Sequence, residues 1–113
     1  MPVRSLNSSV LRWPNRHEVD IAVRDWARRL TQGNHNVRRV GYTGSYARET
    51  WGVGSDVDII IIVHKNDRPF MERARSFDAT ELPVPADVLV YVDEEWKEMA
   101  ERRRAPHPVV WVE

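Results

Sequence analysis

Residues Gly44 to Asp58 read Gly-Ser-Tyr-Ala-Arg-Glu-Thr-Trp-Gly-Val-Gly-Ser-Asp-Val-Asp. A short apolar strand candidate, Val37 to Tyr42, leads into them, and a second, Asp58 to Val63, leads out. Between the strands come a Gly-Ser pair, a helix-like patch from Tyr46 to Glu49, and a loop carrying Gly52 and Gly54. On a strand, residues i and i+2 share a face, so Asp56 and Asp58 are expected to point the same way. Two unpaired carboxylates side by side repel, and a cation offsets that repulsion. Magnesium is the natural candidate, because it binds through one or two carboxylates together with substrate phosphates. A helix beginning after Gly44-Ser45 would aim free N–H groups, a positive dipole end and the Ser45 hydroxyl at an anion. Gly44 would let the backbone come close. A metal site beside a phosphate turn describes a site for a nucleoside triphosphate.

Gly44-Ser45, ten residues, then Asp56-Val57-Asp58 resembles the signature of the polymerase-beta-like nucleotidyltransferase superfamily. The longer form, Gly-Ser-x-Ala-Arg with Ser-Asp-x-Asp, resembles its small stand-alone branch, the minimal nucleotidyltransferases, over roughly residues 15 to 113. The resemblance implies an α+β fold with a small mixed β-sheet of about four strands and helices packed mainly on one face. It implies that Asp56, Asp58 and a third acid on the next strand, Asp87, hold two magnesium ions, and that Gly44, Ser45 and Arg48 meet the phosphates of ATP. It also implies a partner, since such proteins are typically paired with a HEPN-domain toxin that they adenylylate on a hydroxyl as antitoxins. Two other readings stay open, an antitoxin that acts by occlusion without catalysis and transfer to a small molecule. The family commonly has glycine where this chain has Glu49. If that position requires positive φ, Glu49 is strained or the loop is reshaped.

Each residue also has a plain structural reading. Gly44-Ser45 could be an ordinary turn, Asp56 a turn cap, Asp58 a partner for one of the many arginines, and Asp87 a surface charge. Arg48 could lie on the surface of its short helix, and Trp51 could cover the core. The conjunction, in order, of Gly-Ser, Asp-x-Asp and a third acid at the start of a strand favours chemistry.

Composition sets the bounds. The chain has 113 residues, 42% hydrophobic and 30% charged, as expected of one globular domain spanning 1–113 with a possible N-terminal arm at 1–13. A formal net charge of zero gives no global attraction to nucleic acid or an anionic membrane. There is no cysteine, and the four histidines show no paired ligand spacing. The longest apolar run, Ile59 to Val63, is too short to span a bilayer, and the N-terminus lacks a secretory signal core, so a soluble cytoplasmic protein is expected. Self-association is left open.

The remaining elements follow from periodicity. Val19, Ala22, Val23, Trp26, Ala27 and Leu30 recur at helical spacing, with Gly33 as the stop and Arg24, Arg28 and Arg29 on a solvated face. Ile59 to Val63 suits a central strand covered on both faces. Phe70 to Ser76 reads as a short helix after Pro69, and Phe77 to Pro85 as a connector. Ala86 to Val92 is the third strand. Asp93 is expected to cap a last helix reaching about Arg103, with Trp96, Met99 and Ala100 inward, and Val109 to Val112 to add a terminal strand.

Overall fold

A computed structural model describes residues 13–113, so the expected arm at 1–13 lies outside the described residues except for Trp13. Helix α1, Arg16–Gly33, starts at a capping box in which the Asn15 side chain accepts from the Glu18 N–H at 2.9 Å and Glu18 accepts from the Asn15 N–H at 3.2 Å. Its apolar stripe buries Val19, Val23, Trp26 and Ala27, while Ala22 and Leu30 pack at the margin and Ile21 stays exposed. The arginines of the other face are solvated, with Arg24 on Asp20 at 2.6 Å and Arg29 on Asp25 at 3.2 Å.

Four strands follow: β1 (Val37–Thr43), β2 (Val57–Val63), β3 (Ala86–Val92) and the two-residue β4 (Val110–Trp111). Their order in the sheet is β3-β2-β1-β4, with β1 antiparallel to both β2 and β4, and β2 parallel to β3. The β2–β3 crossover runs through α3 (Phe70–Arg73), a 3₁₀ turn (Ala74–Ser76) and an irregular connector. Strand β2 is the centre of the molecule, with Val57 and Ile59 to Val63 all buried. Val57, Ile59, Ile61 and Val63 belong to the core shared with α1. The alternate residues Ile60 and Ile62 face the opposite side. There α4 (Asp93–Glu101) adds a smaller cover, and the rings of Tyr91, Trp96 and Trp111 meet at centroid distances of 5.5 and 5.4 Å.

Two expectations for α4 are corrected. Asp93 is its first residue rather than its cap, because the Glu95 carboxylate takes the free Val92 N–H at 2.8 Å and Asp93 pairs with Arg38 at 3.1 Å. Ala100 is exposed rather than inward, while Trp96, against the Tyr91 and Trp111 rings, and Met99 are half-buried; the helix ends at Glu101. Glu95 also pairs with the buried Arg73 at 2.6 Å, and that guanidinium is the main reason its carboxyl sits below the usual glutamate range.

The docking of β4 depends on Gly41. A Cβ placed there would lie 2.8 Å from the Trp111 ring and from Val109, and 2.9 Å from the Val110 carbonyl. Backbone and ring cannot both yield, so we expect Gly41→Ala to destabilise the protein by about 1–3 kcal/mol. Denaturant unfolding followed by tryptophan fluorescence checks this; an unchanged midpoint would show that β4 is not packed as described.

Candidate active site

The site begins where β1 ends. Gly44 has φ +81° and ψ −152°, a conformation that residues with a side chain rarely adopt. A Cβ at this position would also overlap the Asp58 carboxylate. The glycine is thus required twice, by its backbone and by its neighbour. Ser45 then opens α2, Ser45–Arg48, a single turn whose Arg48 N–H donates to the Gly44 carbonyl at 3.0 Å. One turn aligns too few peptide dipoles to act as the helix end that was expected. The Ser45 hydroxyl makes no hydrogen bond among the described residues. Glu49 adopts the left-handed conformation, φ 61° and ψ 32°, which a residue with a side chain holds at a cost on the order of 1 kcal/mol. Its carboxylate meets Arg16 at 3.1 Å across the surface.

The loop back to the sheet is braced from inside. Tyr46 is buried, donates its hydroxyl to the Pro14 carbonyl at 2.9 Å, and carries Trp51 stacked on it at 5.8 Å with rings 5° from parallel. Trp51 therefore covers core. Ser55 closes the turn by accepting from the Gly52 N–H at 2.8 Å, while its own carbonyl accepts from Trp13 Nε1 at 3.3 Å. This delivers Asp56 to the mouth of β2. Asp56 precedes the strand, which begins at Val57, and is exposed; the two acids are not both strand residues, since the brace at Ser55 holds the chain off the sheet until Val57 pairs.

Asp58 lies in a row across the sheet, opposite Thr43 in the antiparallel pair and opposite Asp87 in the parallel one. Thr43 is buried and commits its hydroxyl to the Pro108 carbonyl at 2.6 Å. It was not singled out in the sequence; a polar residue closing an apolar strand just before Gly-Ser is the signal that would have found it. Asp56, Asp58 and Asp87 make no ion pair among the described residues, so the reading of Asp58 as an arginine partner does not hold. Burial, then the charges of Asp87 and Asp56, raise the Asp58 carboxyl above the usual aspartate range, against a weaker opposing pull from Arg48.

Gly44, Asp58 and Asp87 are thus brought into contact or register, and Asp56 and Arg48 act on Asp58 electrostatically. Among the described residues no three acids or histidines converge into a ready-made metal cage. A hard divalent cation that keeps waters and takes other ligands from substrate phosphates fits this oxygen donor set, because two carboxylates suffice for it. The acids lie on an open face of the sheet. A groove of about 660 Å³ lies elsewhere, beside Phe77, Leu82, Val84 and Val88.

An antiparallel strand pair presses the Gly-Ser turn onto the Asp58 carboxylate, with a further acid, Asp87, in register on the parallel neighbour. The family model for the nucleotidyltransferase domain matches residues 23–113, all the site residues included, and the chain belongs to that family. Among solved structures, a candidate nucleotidyltransferase from Sulfolobus solfataricus is similar, with a TM-score of 0.60 at 16% identity over 85% of this chain and 80% of that one. That likeness bears on the fold. No curated protein matches the chain. No helix among the described residues is long and apolar enough to cross a membrane.

The raised Asp58 carboxyl has a consequence for stability. The folded protein holds that proton to higher pH than the unfolded chain, so the native state binds more protons in the window between the two values. Stability therefore falls as pH rises through that window. We expect Asp58→Asn to be more stable than wild type at pH 7 without metal, with the gap closing as pH falls toward about 4, the ordinary aspartate range. Thermal unfolding of both proteins across pH measures this; a variant less stable at every pH would contradict the repulsion.

Proposed function

We propose that this protein transfers a nucleoside monophosphate, AMP from ATP, to a hydroxyl on a protein partner, and that the partner is a HEPN-domain toxin for which it is the antitoxin. The observation that carries the transfer reading is the unpaired Asp58 in register with Asp87 and against Gly44. The protein acceptor is supported by the openness of the site, whose acids lie on a sheet face and not in the large groove. A small acceptor would need enclosing walls to be positioned. The toxin is inferred from the resemblance of Gly-Ser-Tyr-Ala-Arg and Ser-Asp-Val-Asp to the minimal nucleotidyltransferases.

In this reading Ser45 and Arg48 receive the phosphates, the first with a free hydroxyl and the second with its charge. Asp56, Asp58 and Asp87 would hold magnesium, which neutralises the polyphosphate and lowers the pKa of the acceptor hydroxyl. The acceptor oxygen bonds to the α-phosphorus, the bond from that phosphorus to the bridging oxygen breaks, pyrophosphate leaves and the hydroxyl proton passes to solvent. Positioning and charge neutralisation supply the rate.

Incubation with α-phosphate-labelled ATP, magnesium and a HEPN-domain protein from the same source should label that protein. Asp58→Ala should lower the rate about 10³-fold, the scale of losing one main electrostatic stabiliser. Equal labelling by wild type and variant would overturn the catalytic role. No labelling, with the toxin still neutralised by Asp58→Ala, would favour occlusion.

A further inference from the structure

The sheet edge at β3 is closed along one half and open along the other. In the β2–β3 pairing the Val57 N–H donates to the Pro85 carbonyl at 2.9 Å. Alternation then turns the backbone groups of Asp87, Leu89 and Tyr91 toward β2 and those of Ala86, Val88, Val90 and Val92 outward. Two of these outward residues are served locally. Arg73 donates to the Val90 carbonyl at 3.2 Å, and Glu95 accepts from the Val92 N–H at 2.8 Å. The outward groups of Ala86 and Val88 have no hydrogen bond to any other described residue. Their side chains line the groove of about 660 Å³, with Phe77, Leu82 and Val84. Two outward residues at i and i+2 above an apolar trough match an extended backbone with apolar side chains at alternate positions.

We propose that Ala86 to Val88 seats an extended segment of the acceptor protein as a fifth strand, and that this segment carries the acceptor hydroxyl opposite Asp87. This deepens the transfer reading and rests on it. The side chain of Asp87 alternates away from the groove and onto the face that carries Asp58. In an added antiparallel strand, Asp87 occupies the pair without mutual hydrogen bonds, where facing side chains are closest, with Cα atoms about 4.5 Å apart. The residue opposite Asp87 therefore projects beside the carboxylates, while its neighbours drop into the groove. Charge excludes one occupant. A second copy of this chain pairing through the same two open residues, Ala86 opposite Val88, would set Asp87 against Asp87, a destabilising like-charge pair. Charge thus disfavours an acid opposite Asp87, the groove favours apolar neighbours, and the transfer reading supplies the hydroxyl at the facing position.

The test uses a seven-residue peptide with a central tyrosine flanked by valines, added to the intact protein and followed by amide NMR. The Ala86 and Val88 amides should shift. N-methylation of the peptide amides on one alternation should abolish the shifts, and on the other should leave them. Ala86→Pro deletes an outward N–H at the first position of the strand, where proline is tolerated, and should weaken binding about tenfold with unchanged thermal unfolding. Shifts that map elsewhere, that ignore N-methylation, or that are absent at millimolar peptide would overturn the proposal. Labelled ATP separates the two readings. A peptide that docks at Ala86 and Val88 yet takes no label leaves docking standing and the transfer reading refuted. Label transferred equally by wild type and Ala86→Pro does the reverse.

Discussion

The contact between Gly44 and the Asp58 carboxylate is the constraint on which the site depends. It exists because β1 and β2 pair antiparallel, which sets Thr43 opposite Asp58 and leaves the next residue to turn over that carboxylate. Only a residue with no side chain fits there, and only at positive φ. Everything else in the motif serves that meeting. Tyr46 and Trp51 hold the short helix down from the core side, and Ser55 ties the loop so that the chain re-enters the sheet one residue before Asp58. A stable scaffold thereby supports a local arrangement that is itself unfavourable, with acids near enough to repel and no cation among the described residues paired to them. Arg48 lessens that repulsion without removing it.

Much of this was legible in the sequence. The β-branched run Ile59 to Val63 announces a strand buried on both faces, and the spacing of Val19, Val23, Trp26 and Ala27 a helix lying on one of them. The strand Ala86–Val92 has the bounds expected of it from the sequence. Gly44 and Asp58 stood out because folding alone does not call for a Gly-Ser turn and an unpaired acid at that separation. Glu49 was marked as a departure, and its left-handed backbone is the strain that the missing glycine predicts.

What was illegible depends on contacts distant in sequence. Nothing local distinguishes Arg73 from the other arginines, yet it is buried because the edge carbonyl of Val90 and the carboxylate of Glu95 meet it. The cap of α4 moved from Asp93 to Glu95 for the same reason, since an acid three residues into the helix could reach the Val92 N–H. The importance of Gly41 is invisible until Trp111 crosses it. Thr43 looked like the end of a strand and became the neighbour of Asp58 only through β-pairing. The openness of the carboxylate face and the half-open edge of β3 are likewise properties of the assembled sheet.

In the proposed function, Asp58 with Asp87 in register and Asp56 nearby would meet a cation and a phosphate. Carbon-13 NMR titration of the aspartate carboxyls, without metal and then with magnesium and a non-hydrolysable ATP analogue, tests it most directly. Asp58 should titrate above the ordinary aspartate range when metal-free and below it once magnesium and nucleotide are bound. An Asp58 that titrates as an ordinary surface acid and ignores both additions would contradict it.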